Sequence, residues 1–201
     1  MTTALKNFLH KQAKIASAAR NIQSWNEYEM SIENVETLAP KFINNEFQKG
    51  NSLEYILASK SPSISDAYRF DYSYANTFDN FVEMMKSYQN KEPIILYRGA
   101  SEIPFKHMLE ASKEIDDPNI FFYEKGFLSC SLIPEKASKY DGIKQLKIFV
   151  PPYHNVLYVG HALDQEEATG CRYEVIVQRG AKMELLTEDT NYYYCLLHTT
   201  F

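Results

Sequence analysis

The sequence predicts an α+β protein, with a helical first half and a stranded second half. Two observations carry this. Residues 1–92 repeat apolar side chains at helical spacing in several short pieces, whereas residues 93–201 hold closely spaced short runs of β-branched and aromatic residues. Few long helices separate those runs, so an antiparallel-rich sheet is expected rather than alternating βαβ units. A chain of 201 residues suits one compact unit, read here as a helical N-terminal region (1–92) packed beside a core (93–201).

Residues 1–26 carry Lys6, Lys11, Lys14 and Arg20 and no acid, with Leu5, Phe8, Leu9, Ala13, Ala16 and Ala19 at helical spacing. A basic amphipathic helix of this kind serves packing, a membrane surface or a transit-like address. The modest apolar face ranks packing first and membrane-surface contact through residues 3–22 below it. Ser31 can cap a helix holding Val35 and Leu38, Pro40 restarts or kinks the chain, and Gly50 reads as a terminator. Leu53, Tyr55, Ile56 and Leu57 mark another short helix. Thr77 is expected to cap a helix with Phe78, Phe81, Val82, Met85 and Tyr88 on one side, the clearest helical spacing in the chain. That stripe reads as core rather than as a cofactor box. After Pro93, strands are expected at 94–98, 120–123, 127–132, 146–150, 156–159, 173–177, 183–186 and 192–197, with a helix around 105–112.

Composition excludes several classes. A hydrophobic content of 45% with 23% charged residues is that of an ordinary globular protein. The net charge of −5 gives no general attraction to a nucleic-acid backbone, so no nucleic-acid partner is expected. Three cysteines without CxxC spacing, Cys130, Cys171 and Cys195, argue against a disulfide framework and against zinc, and point to a reducing compartment. No apolar run approaches the roughly 20 residues of a membrane span. A continuous apolar signal segment is lacking too, so action in the cytosol, after any delivery by a signal-independent route, is expected.

Three polar signals sit on strand-like segments. Arg98 lies in Leu96-Tyr97-Arg98-Gly99. Ser129 and Ser131 lie in Gly126-Phe127-Leu128-Ser129-Cys130-Ser131. Glu174 opens the run Val175-Ile176-Val177, which ends in Gln178-Arg179-Gly180. A carboxylate at the mouth of a buried strand sits where core meets solvent, a usual place for a catalytic group. Alternation along a strand places Ser129 and Ser131 on one face and Cys130 on the other. Cys130 lacks a Cys-His signature and reads as core. His161, Asp164, Glu166 and Glu167 show no recognised ligand spacing, so no metal is expected.

Together these segments resemble the mono-ADP-ribosyltransferases of the Arg-Ser-Glu class over about residues 93–201. In that class an arginine stands on the first strand, a Ser-Thr-Ser motif on the second, and a glutamate opens a later strand. The resemblance implies a mixed, mostly antiparallel two-sheet core that uses NAD as substrate and transfers ADP-ribose to a host protein. It assigns Glu174 to catalysis, Arg98 to holding the pyrophosphate or bracing the pocket that does, and Ser129 to orienting Glu174, with Ser131 supporting the site and Gly99 admitting the ligand. Tyr140 or Phe127 stacks on nicotinamide, and the residues do not choose between them. Lys136, Lys139 and Lys144 either assist phosphate binding or are simply solvated.

One departure from the pattern stands at Arg172, where many relatives carry the Glu or Gln that engages the acceptor. An arginine has donors only and stays charged, so it cannot accept a bond from an incoming guanidinium. Glu166 and Glu167 are the substitutes on that loop. The departure keeps an NAD glycohydrolase in view beside the transferase. A catalytically silent module of the same fold is the third reading, opposed by the intact Arg98, Ser129 and Glu174.

Overall fold

A computed structural model of the chain describes residues 3–43, 64–99, 102–137, 144–160 and 173–199. The helices are α1 (Thr3–Arg20), α2 (Val35–Ile43), α3 (Asp79–Met85), α4 (Glu102–Ser112) and the single turn α5 (Pro134–Ala137); residues 64–69 are also helical. Eight strands follow the expected positions: β1 (Ile94–Arg98), β2 (Phe122–Glu124), β3 (Leu128–Ser131), β4 (Gln145–Val150), β5 (Val156–Gly160), β6 (Glu174–Val177), β7 (Ala181–Glu188) and β8 (Tyr192–Thr199).

The strands form one hydrogen-bonded order, β2-β7-β8-β4-β1-β3-β6-β5, mixed because β4 and β8 run parallel while every other pair is antiparallel. This differs in detail from two separate sheets. The β1–β3 link is a single pair, Tyr97↔Ser131, whereas β1 and β4 share five pairs and β3 and β6 share four. A five-stranded arm and a three-stranded arm therefore meet at that one point.

Alternation along β1 sends its side chains to two cores. Ile94 and Leu96 join a cluster with Val35, Ala39 and Ile43 of α2, while Ile95 and Tyr97 join one with α1. The acid-free α1 packs through Ile15, Ala18 and Ala19 and leaves Leu5, Phe8 and Leu9 exposed. Three of its four Lys and Arg side chains meet acids of the body: Lys11 with Glu92, Lys14 with Glu27, Arg20 with Glu184. Trp25 is wholly buried between α1 and the sheet, its indole N–H donating to the Ala18 carbonyl (3.1 Å) and its ring 5.5 Å from that of Phe149.

Two local expectations are corrected. Pro40 does not restart the chain: it lies inside α2, which continues to Ile43. Thr77 does not cap a helix: it sits in the 3-10 turn Ala75–Phe78, its hydroxyl donates back to the Tyr74 carbonyl (2.7 Å), and α3 begins at Asp79. A short polar side chain beside a turn can bond its own backbone as readily as cap the next helix. The aromatic stripe is core as expected, with Val82 and Met85 buried and Phe78, Phe81 and Tyr88 partly so.

Candidate active site

The site forms where the two arms meet. Arg98 ends β1, Ser129 lies on β3, and Glu174 is the first residue of β6. The order β1-β3-β6 makes these strands neighbours although the residues are far apart in sequence. The Arg98 Nη1 donates to the Ser129 carbonyl at 2.6 Å, and the Ser129 hydroxyl donates to Oε1 of Glu174. Ser129 thus links the guanidinium and the carboxylate. All three line one crevice, together with Tyr97, Gly99 and Lys136.

Local backbone structure aims the carboxylate. Tyr173, just before Glu174, has φ 47°, a left-handed conformation that L residues seldom adopt, and its buried ring belongs to the main core. Its carbonyl accepts the Leu132 N–H (3.1 Å), tying the entry of β6 to the exit of β3. Ser131 is buried, and its hydroxyl accepts the Ile133 N–H (3.0 Å), which fixes the turn into α5. Cys130 points to the opposite core, where burial pushes its thiol up to about 12.

Phe127 is not brought to the crevice, which corrects its candidacy for nicotinamide stacking. It is fully buried beneath the helical residues 64–69, its ring 6.4 Å from that of Tyr68. Its carbonyl accepts the Ser65 hydroxyl at 3.1 Å. Lys144 is also directed away, paired with Glu188 at 3.1 Å and lying 5.1 Å from the Tyr193 ring centre. Tyr140, Lys139, Glu166, Glu167, Arg172 and Cys171 lie outside the described residues, as do His161 and Asp164.

Sequence reasoning missed the clamp behind β3. The buried Glu124 carboxylate accepts from Arg69 Nε (2.9 Å) and Nη2 (2.8 Å) and from the Gly126 N–H (2.8 Å). A Cβ at Gly126 would stand 2.8 Å from Cα, Cβ and O of Ser65, so a glycine is required for this close approach. The glycine was visible in the sequence; the pairing of Arg69 and Glu124, 55 residues apart, left no local pattern.

The crevice suits an anionic ribosyl ligand. Arg98 Nε is buried without a hydrogen-bond partner among the described residues, so the guanidinium keeps donor capacity. The carboxylate of Glu174 stands beside it on the neighbouring strand. Among the described residues no group of three or more His, Cys, Asp or Glu could hold a metal ion.

Comparison with known proteins identifies the family and the fold. The family model for the ADP-ribosyltransferase exoenzyme matches residues 75–194, more than half of the chain and inclusive of Arg98, Ser129 and Glu174. The fold is similar to the C3 exoenzyme of Clostridium limosum, at 15% identity and TM-score 0.59 over 85% of this chain and 96% of that one. It is similar also to C3stau2 of S. aureus, whose structure contains NAD, at 12% identity and TM-score 0.58 over 85% and 97%. Plx2a, an ADP-ribosyltransferase toxin from Paenibacillus larvae, matches at 14% identity and TM-score 0.54 over 86% and 98%. No curated protein matches the chain by sequence.

Proposed function

Because the chain belongs to the ADP-ribosyltransferase exoenzyme family, we propose that it breaks the nicotinamide–ribose bond of NAD and transfers the ADP-ribose to a side chain of a host protein. The observation that carries this is the Arg98–Ser129–Glu174 chain of contacts along one crevice.

Nicotinamide departs with the electron pair of the C–N bond, leaving oxocarbenium character on the ribose, as in glycoside hydrolysis. Such a state is stabilised by a fixed negative charge, which Glu174 supplies, held in place by the Ser129 hydroxyl. Guanidinium donors match phosphate oxygens, so Arg98 holds the pyrophosphate end. The acceptor attacks the ribose carbon and releases its proton, giving ADP-ribosyl acceptor, nicotinamide and H⁺. No step needs a metal ion.

A second reading is NAD hydrolysis, in which water replaces the acceptor. The sequence observation that favours it is Arg172, a donor-only side chain where relatives engage the acceptor. Incubation with labelled NAD and host-cell lysate separates the two. Label on protein bands supports transfer, free ADP-ribose without labelled bands supports hydrolysis, and intact NAD refutes both. The buried thiols of Cys130 and Cys195 support action in a reducing cytosol.

A further inference from the structure

We propose that Lys136 is the second cation of the dinucleotide site and binds the pyrophosphate beside Arg98. The proposal rests on the reading of the crevice as the NAD site and deepens it. A pyrophosphate carries two negative charges, and Arg98 supplies one positive charge. Lys136 lines the same crevice and supplies the other.

The lysines of this region have different surroundings. The Lys147 ammonium is buried against Glu29 at 2.5 Å and ringed by Tyr97, Tyr192 and Tyr194 at 5.6–5.8 Å. Lys144 pairs with Glu188. The Lys136 ammonium forms no ion pair among the described residues, although its residue is half-buried. A half-buried cation left without a carboxylate in a crevice is held ready for an anionic ligand.

The turn that carries it is built rather than loose. The Ser131 hydroxyl accepts the Ile133 N–H, and the Lys136 N–H donates to the Ile133 carbonyl at 3.1 Å. The second serine of the Ser-x-Ser segment therefore serves the lysine, while the first serves Glu174. Arg98 and Lys136 together divide the pocket into a cationic phosphate end and an anionic ribose end.

The test measures binding of NADH, which keeps the pyrophosphate but lacks the cationic nicotinamide leaving group, by calorimetry. Nicotinamide riboside serves as a phosphate-free control. Lys136→Gln is expected to weaken NADH about tenfold, the scale of one charge-assisted contact, with riboside binding unchanged. Lys136→Arg should restore NADH to within about threefold of wild type. The Gln variant should also show a shallower salt dependence, since one screened charge pair is gone. Equal NADH affinity in wild type and Lys136→Gln overturns the role of Lys136 alone. Parallel loss of NADH and riboside overturns it too, as general damage to the site. Failure of the wild type to bind NADH refutes the NAD reading of the crevice itself.

Discussion

Replacing Glu174 by Gln isolates charge from shape. The amide oxygen can still accept the Ser129 hydroxyl, so the local hydrogen bond and the fold persist while the negative charge is lost. A unit charge pair about 4 Å apart is worth about 4 kcal/mol at the effective dielectric of about 20 that suits a half-exposed site. The ribose carries only part of a positive charge in the transition state, which brings the expected loss to about 2.7–4 kcal/mol, or a hundred- to a thousandfold in rate. Nicotinamide release and label transfer are measured with saturating NAD, and thermal melting serves as the fold control. Because the effect belongs to the transition state, it should fall on kcat, with NAD affinity nearly unchanged. A folded Glu174→Gln that keeps more than about a fifth of the wild-type rate would refute the assignment. The carboxylates of Glu166 and Glu167 would then be the next to test.

Arg98→Lys should weaken NAD binding about tenfold in calorimetry, because a point charge cannot serve the Ser129 carbonyl and a phosphate as a guanidinium fork does. Gly126→Ala should destabilise by about 1–3 kcal/mol in urea melts, since its Cβ would strike the Ser65 backbone, which has little room to shift. In a Cys171→Ser background, a thiol reagent at pH 8 should leave the native protein unlabelled and react with two thiols after denaturation. Burial pushes both the Cys130 and the Cys195 thiols upward, so neither supplies thiolate in the fold. Rapid labelling of the native protein would contradict that burial.

The eight strands were legible because β-branched and aromatic runs are local signals, and each site residue stands at or near a strand end where such a run meets a polar residue. The contacts that fix those strands were not local. Arg69 and Glu124 are 55 positions apart and Lys147 and Glu29 are 118 apart, so no spacing rule could pair them. Phe127 shows the same limit from the other side. It shares the parity of Ser129 and Ser131, so strand alternation alone does not keep it from the crevice. Parity cannot say that residues 64–69 cover that end of the face, and the covering helix decides its role. Thr77 failed for a local reason, since capping and back-bonding to Tyr74 use the same hydroxyl.

The sheet order explains why the two ends of the site should respond differently to mutation. Four residue pairs join β3 to β6, so Ser129 and Glu174 are held by a continuous ladder as well as by their side-chain bond. Only Tyr97↔Ser131 joins β1 to β3, and the Arg98 bond to the Ser129 carbonyl bridges the two arms beyond that pair. In the proposed mechanism, the charge to be preorganised for bond breaking thus stands on the same arm as the hydroxyl that orients it. Arg98, proposed above to hold the pyrophosphate, stands on the other arm and lines the crevice between them. Changes at Glu174 should therefore appear in kcat, and changes at Arg98 in the affinity for NAD. An Arg98 variant that lost turnover while binding NAD normally would mean that the arms do not share the work in this way.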